Sequence, residues 1–168
     1  MAAQENHPLA NAYTIRPCTL DDEQVALAVC LHTGDAGNDA SGLYNDPHVL
    51  GHRYVSPYLH LSPELAFVLE DSDGLVCGYV LAALHSDAFY KRYVDEWLPK
   101  MRQLHSQIPS DDRTEKVDGD IITGFYNDRL ESFRLFDGYP SHLHIDLLPN
   151  AQGSHTLAFA ITDGSLRV

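Results

Sequence analysis

The chain has 168 residues, of which 44% are hydrophobic, and a formal net charge of -13 at pH 7. This length and apolar content predict one globular domain with its own core, and they exclude wholesale disorder. The negative charge argues against binding to nucleic acid or to an anionic membrane surface, because both need clustered Lys and Arg.

Cysteine usage and the N-terminus predict the compartment. Cys18, Cys30 and Cys77 are odd in number and widely spaced, which is typical of buried thiols in a reducing environment. The first residues lack the apolar core of a signal peptide, and no segment approaches the roughly 20 apolar residues of a membrane helix. We therefore expect a cytoplasmic protein in which residues 1–12 form a disordered tail and residues 13–168 form one domain.

The first part of the chain alternates between short extended and helical segments. Residues 13–16 alternate in polarity and predict a first strand. Thr19 is suited to cap a helix over residues 20–32, which carries acids in its first turn. A loop rich in Gly, Asp and Asn follows over residues 34–40, and helical spacing predicts a second helix over residues 47–61.

A β-hairpin is the clearest supersecondary prediction. Residues 65–70 and 75–84 have the composition of strands, and Asp71-Ser72-Asp73-Gly74 between them is typical of a hairpin turn. The remaining chain predicts, in order, an amphipathic helix over 87–105, a polar surface loop over 107–119, a helix over 120–135 and a strand from His142. This order favours an α/β (α+β) fold with helices on the faces of a sheet.

The last predicted strand carries three polar residues at every second position. Period-two alternation places His142, His144 and Asp146 on one face. The H-x-H-x-D pattern also begins the zinc site of metallo-β-lactamases, but Leu147 stands where that motif continues with a second adjacent histidine. Zinc hydrolysis is therefore a remote alternative. We favour a structural or site-lining role for the histidines and assign no metal ligand.

The strand runs through Leu147-Leu148-Pro149 into a glycine-bearing turn, Asn150-Ala151-Gln152-Gly153-Ser154-His155. This turn resembles the acyl-CoA-binding pattern Gln/Arg-x-x-Gly-x-Gly/Ala of the GNAT superfamily of N-acetyltransferases. In that superfamily the fourth strand pairs with the pantetheine arm, and the turn and the following helix hold the pyrophosphate. Backbone N–H groups at such a turn suit an anion.

A closer resemblance extends over residues 13 to 153. The segments that carry it are Tyr13-Thr14-Ile15-Arg16, Asp21-Asp22-Glu23, Thr33-Gly34-Asp35-Ala36-Gly37, Pro57-Tyr58-Leu59, the stretch from Pro63 to Glu70, Gly78-Tyr79-Val80-Leu81, Glu96-Trp97-Leu98-Pro99 and the stretch from His142 to Pro149. With these segments the chain is similar to microbial acetyltransferases that resemble the C-terminal acetyltransferase-like domain of O-GlcNAcase.

This resemblance implies a GNAT-like mixed central sheet flanked by helices, acetyl-CoA as the cofactor, and direct transfer to an amine of a small molecule or protein in a ternary complex. It implies that the cofactor is bound by Leu147, Leu148, Asn150, Ala151, Gln152, Gly153, Ser154, His155 and Thr156. A backbone N–H of Leu147 or Leu148 would polarise the thioester carbonyl.

An acetyltransferase also needs a base that takes a proton from the ammonium of the acceptor. Asp146 is the first candidate, because it shares a strand with the expected thioester site, and Asp35 and Asp39 in the 34–40 loop are the second. His144 is a weaker candidate. A structural hydrogen-bond acceptor is an equal alternative for Asp146.

Two positions depart from the superfamily pattern. Asn150 replaces Gln or Arg, and the ring of His155 replaces a small residue that lets the backbone approach the pyrophosphate. The helices and strands that normally follow the turn have no counterpart, so we expect a domain truncated after the fourth strand. Its open strand edge would permit a homodimer. A non-catalytic pseudo-acetyltransferase binding module is therefore the main alternative to an enzyme.

Overall fold

Four antiparallel strands form the sheet in our computed structural model, which describes residues 13–106, 118–130 and 140–152. The strands are β1 (Thr14–Pro17), β2 (Ala66–Glu70), β3 (Val76–Ala83) and β4 (His142–Leu147). They lie in the order β1-β2-β3-β4, so each strand pairs with its neighbour in sequence. Within the described ranges every pair is antiparallel, so the parallel pair of a mixed sheet does not occur there.

Six α-helices are described, and all of them lie within or next to the four ranges that were predicted to be helical. They are α1 (Glu23–Thr33), α2 (Val49–Tyr54), α3 (Ser56–Leu61), α4 (Ser86–Arg92), α5 (Leu98–Leu104) and α6 (Asp118–Asn127). Single 3-10 turns precede α1 at Leu20–Asp22 and β2 at Pro63–Leu65. A π-helical segment, Tyr93–Trp97, joins α4 to α5.

The single helix predicted over residues 47–61 is wrong, because the chain forms α2 and α3 with a break at Val55. Pro57 explains the break. It has no N–H to donate, and its ring would collide with the carbonyl of Arg53 if one helix continued through it. At the start of α3 the same proline is tolerated, because the first N–H groups of a helix lack partners within it.

An arginine at the edge of the sheet connects β1 to the start of α1. The Arg16 guanidinium donates to both carboxylate oxygens of Asp22, at 2.8 and 2.7 Å, and to Glu70 at 2.8 Å. Asp22 also accepts hydrogen bonds from the N–H and the hydroxyl of Thr19. Its hydrogen bonds with Arg16 hold the pKa of Asp22 far below its usual range. These contacts fix where α1 begins relative to the sheet.

The two faces of the sheet carry separate apolar clusters. The larger cluster lies between the sheet and the helices and includes Val68, Tyr79 and Leu81. The smaller one lies on the opposite face around Leu69 and Val80. No helix among the described residues is both long and apolar enough to cross a bilayer.

Candidate active site

A cavity of about 330 Å³ lies on the helix-covered side of the sheet, beside β4. Its walls come from α1 and its C-cap, the loop before α2, α2, α6 and β4. The lining residues are Cys30, Thr33, Gly34, Tyr44, Leu50, Tyr54, Ile121, His144 and Asp146. A volume of this size suits a small organic ligand, for which pockets measure roughly 300 to 1,000 Å³.

Asp146, the first candidate base, lines this cavity with two hydrogen-bond partners. The β3–β4 register places Tyr79 directly opposite Asp146, and the Tyr79 hydroxyl donates to its Oδ2 atom. His144 lies two residues earlier on the same face, with its Nε2 atom 3.1 Å from Oδ2. The pairing of β3 with β4 therefore brings a phenol, an imidazole and a carboxylate together at one wall of the cavity.

Both ring nitrogens of His144 contact oxygen acceptors. Nδ1 lies 3.1 Å from the Tyr54 carbonyl oxygen, and Nε2 faces the Asp146 carboxylate. Burial lowers the pKa of His144. The hydrogen bond and the charge of Asp146, together with the Tyr54 carbonyl, raise this pKa by more than burial lowers it, so the net shift is upward. The protonated imidazolium is the form that can donate to both acceptors at once.

The neighbouring Tyr79 hydroxyl and Cys30 thiol both hold their protons. Burial, followed by the charges of Cys30 and Asp146, raises the pKa of Tyr79 far above that of a free phenol. Burial likewise raises the pKa of Cys30 to about 12, against a smaller lowering by its hydrogen bond with Tyr79. Since the thiolate is the nucleophilic form, Cys30 is not suited to covalent catalysis.

The two aspartates of the 34–40 loop are not among the residues that line the cavity. Asp35 is exposed, and its N–H donates to the Asn38 carbonyl oxygen at 3.1 Å within a tight turn. Asp39 accepts from the Ser41 hydroxyl at 2.5 Å and pairs with His32 at 3.2 Å. Hydrogen bonds from Ser41 are the main cause that lowers the pKa of Asp39. Of the candidate bases, the cavity therefore contains Asp146 and His144.

The turn after β4 is less open to a ligand than the sequence predicted. The Leu148 N–H donates to the Cys77 carbonyl oxygen at 2.8 Å, so it is not free to polarise a thioester. The Ala151 N–H donates to the Leu148 carbonyl oxygen at 2.8 Å, which closes a β-turn around Pro149, and Ala151 is fully buried. Strand pairing and the turn therefore already use the two N–H groups that were expected to contact the cofactor.

Other parts of the predicted cofactor site remain accessible. Backbone alternation along an antiparallel strand directs the N–H of Leu147 away from β3, opposite to that of Leu148. Asn150 and Gln152 are exposed, and the Gln152 amide donates to the Leu147 carbonyl oxygen at 2.9 Å. The Tyr13 hydroxyl donates to the Asn150 carbonyl oxygen at 2.8 Å. The remaining predicted cofactor residues, Gly153, Ser154, His155 and Thr156, lie outside the described residues.

His142 does not join the other two polar residues of β4 as a metal ligand. Its Nδ1 atom lies 2.6 Å from the Ser86 hydroxyl, and its ring stacks on Tyr90 with centroids 4.9 Å apart. His142, His144 and Asp146 do not form a three-ligand group in the described part of the chain. The zinc-hydrolase alternative therefore has no geometric support.

Sequence reasoning left three tyrosines unassigned and gave Tyr79 no role. Tyr44 and Tyr54 line the cavity, whereas Tyr58 stacks on Phe89 in the core with ring centroids 4.6 Å apart. Alternation along β3 would have placed Tyr79 on the helix-covered face, but its partner depends on the register with β4, which is not visible in the sequence.

Comparison with known proteins identifies the family. No family model matches the chain. Protein O-GlcNAcase from Rattus norvegicus is 30% identical over 143 residues, and that from Mus musculus is 29% identical over 141 residues. Each match covers 83% of this chain, which spans about 15% of the length of those relatives. The crystal structure of SsHAT matches with a TM-score of 0.76 and 34% identity, covering 92% of this chain and 76% of that one. The chain therefore belongs to the GNAT superfamily of acetyltransferase folds, in the group similar to SsHAT and to the acetyltransferase-like region of O-GlcNAcase.

Proposed function

We propose that this protein transfers an acetyl group from acetyl-CoA to an amine bound in the cavity beside β4. The observation that carries the proposal is the position of Asp146, which lines the cavity and is the residue before Leu147 on the same strand. Successive strand residues point to opposite faces, so the Asp146 side chain reaches the acceptor while the Leu147 backbone remains at the strand edge.

The strand edge and the exposed turn are the parts that fit acetyl-CoA. The N–H of Leu147 points away from β3 and would donate to the thioester carbonyl, while Asn150 and Gln152 would lie beside the pyrophosphate. When bound, acetyl-CoA supplies the activated acetyl thioester. The cavity volume of about 330 Å³ and the carboxylate in its wall favour a small cationic acceptor, which at neutral pH is a primary ammonium.

Asp146 would accept the proton that the ammonium must lose before it can act as a nucleophile. Tyr79 stays protonated and donates to the carboxylate, which orients it within the cavity. His144, held by the Tyr54 carbonyl oxygen, places a second donor on the same carboxylate oxygen. Both partners contact Oδ2. We therefore assign proton transfer to Oδ1, directly or through one water.

The test begins with acetyl-CoA binding to the purified protein by calorimetry, with dephospho-CoA for comparison. We expect a Kd in the micromolar range, about -8 kcal/mol or better. Release of CoA thiol is then measured with a panel of small primary amines. Asp146→Asn should lower turnover about 100- to 10,000-fold and leave the acetyl-CoA Kd unchanged.

Asp35→Asn is the matched control, because Asp35 is exposed and does not line the cavity, and it should keep the turnover of the parent. Equal losses of turnover and of acetyl-CoA binding in Asp146→Asn would remove Asp146 from the role of base. Normal turnover in that variant would do the same.

A non-catalytic binding module is the second candidate, and one observation favours it. The N–H groups of Leu148 and Ala151 donate within the protein, which leaves fewer backbone donors at the turn for a pyrophosphate. Absence of acetyl-CoA binding by a folded sample would support this candidate over the enzyme.

A further inference from the structure

A second group of potential ligands lies outside the cavity. Asp46 lies in the loop before α2, His52 lies on α2, and His105 is the C-cap of α5. One side-chain atom from each lies within 4.8 Å of the other two. The His52 Nδ1 atom and the His105 Nε2 atom are 3.3 Å apart. Three separate elements thus direct two imidazoles and a carboxylate to one point.

The spacing of the two imidazoles matches that of ligands on one ion. Bonds of about 2.0 to 2.1 Å at tetrahedral angles put two zinc-bound nitrogens about 3.3 Å apart. An oxygen of Asp46 lies within 4.8 Å of the two ring nitrogens, and it must move closer for all three atoms to bind one ion. The Asp46 Oδ1 atom accepts the His48 N–H at 2.9 Å, so Oδ2 is the oxygen that would approach the ion, and the side chain is 37% exposed.

Two carboxylates, Asp46 and Glu23, place negative charge near the His52 ring, and this charge favours a cation there.

We propose that Asp46, His52 and His105 bind one Zn²⁺ ion, with water as the fourth ligand. Two imidazoles and one carboxylate form a set that suits zinc better than Mg²⁺ or Ca²⁺, which take oxygen ligands. The ion would connect α2 to the end of α5 and to the loop before α2. The ion would not contact the reacting atoms of acetyl transfer, because none of its three ligands lines the cavity.

Neighbouring contacts already orient the ligands. Phe125 of α6 stacks on the His105 ring with centroids 5.5 Å apart. Asp118, at the start of α6, accepts the backbone N–H groups of Asn45 and Asp46, at 2.9 and 3.1 Å. Such outer contacts restrict ligand orientation in metal sites. Since Leu50 and Tyr54 of α2 line the cavity, zinc at His52 would fix that wall.

The test uses the full chain after dialysis against a chelator. Calorimetric titration with Zn²⁺ should give one site, and Co²⁺ should produce the visible absorption of a tetrahedral complex. At 100 times the Kd, Zn²⁺ should raise the Tm by about 5 to 10 °C. His52→Asn and His105→Asn should each weaken zinc binding about tenfold or more, because loss of a direct ligand costs at least as much as loss of an outer contact.

His32→Asn is the matched control, since His32 also pairs with an aspartate, Asp39, but on the exposed end of α1. It should bind zinc like the parent. If a histidine variant fails to fold by circular dichroism, Asp46→Asn takes its place, because Asp46 is partly exposed.

Absence of one-to-one zinc binding by the parent would overturn the proposal and leave a hydrogen bond between the two rings as the explanation of their contact. Binding that survives His52→Asn and His105→Asn, or that is lost instead in His144→Asn, would also overturn it. The last outcome would place the ion at β4.

Discussion

Asp146 is held from two directions, by Tyr79 across the sheet and by His144 along its own strand. The carboxylate therefore has two partners on one oxygen, Oδ2. It also has a fixed orientation, because neither donor lies on a mobile loop: both belong to strands of the same sheet. Asp35 has no such support and lies in an exposed turn. The contrast explains why one aspartate can serve the cavity and the other does not.

His144 makes the stability of the protein depend on pH. Because its pKa is raised in the folded state, it contributes stability that is fully present below pH 6.5 and is lost as the pH rises through the folded pKa. The free energy of unfolding of the parent minus that of His144→Asn should therefore shrink as the pH rises above about 6.5. Urea unfolding at a series of pH values measures this difference.

His142→Asn is the control of opposite sign. Burial lowers the pKa of His142 in the folded state, so protonation at acid pH favours the unfolded chain. The free energy of unfolding of the parent relative to His142→Asn should therefore decrease as the pH falls below about 6.5. A His144 difference that is constant, or that grows with pH, would contradict the assignment of its partners.

At the scale of elements, β3 and β4 approach each other closely at Gly78. A Cβ atom at this position would lie 2.4 Å from the Leu147 Cδ2 atom and 2.9 Å from the Asp146 carbonyl oxygen. The second contact is with backbone, which cannot rotate away. A side chain at Gly78 would therefore displace the strand that carries both the candidate base and Leu147.

Gly78→Ala should destabilise the fold by about 1 to 3 kcal/mol, which is typical of added atoms in a well-packed interior. It should also reduce turnover, since Asp146 would shift relative to the cavity. Urea unfolding and amine acetylation measure the two effects. Gly119→Ala is the control, because a Cβ there meets nothing within 4 Å. Equal stability of Gly78→Ala and the parent would contradict the close approach of the strands.

The same elements show how far the sequence is informative. The hairpin of β2 and β3 and the first helix were predictable, because turn residues and periodic apolar positions are local signals. Alternation along its strand was enough to place Asp146 on one face with His142 and His144. Its contact with Tyr79 could not be predicted, because that contact depends on the register between segments that are 67 residues apart. The hydrogen bond from the Leu148 N–H to the Cys77 carbonyl oxygen could not be predicted for the same reason.

At the scale of the molecule, the apolar core encloses every cysteine. Cys18, Cys30 and Cys77 are free thiols with 7%, 2% and 2% of their surface exposed. Burial is the main cause that raises the pKa of each of them. Each thiol thus lacks both access to reagents and the thiolate that reacts with them.

Alkylation by iodoacetamide at pH 8 should therefore be slow for all three thiols in the folded protein and should follow the global unfolding equilibrium. Adding urea should increase all three rates in parallel, as read by mass spectrometry of peptides. A single cysteine that reacts without denaturant as fast as a free thiol would show that its part of the core opens separately. Its identity would locate the opening.

The π-helical segment between α4 and α5 sets the direction in which the side chains of α5 point relative to those of α4. Within it the Leu98 N–H donates to the Tyr93 carbonyl oxygen, five residues earlier, so this turn holds one residue more than an α-helical turn. If the same residues wound as a regular α-helix, α5 would be rotated by about 100° relative to α4. Leu98 and Met101 would leave the core, and His105 would rotate away from His52. The wider turn thus acts as an angular offset that keeps the side chains of α5 facing the core while the segment carries one extra residue.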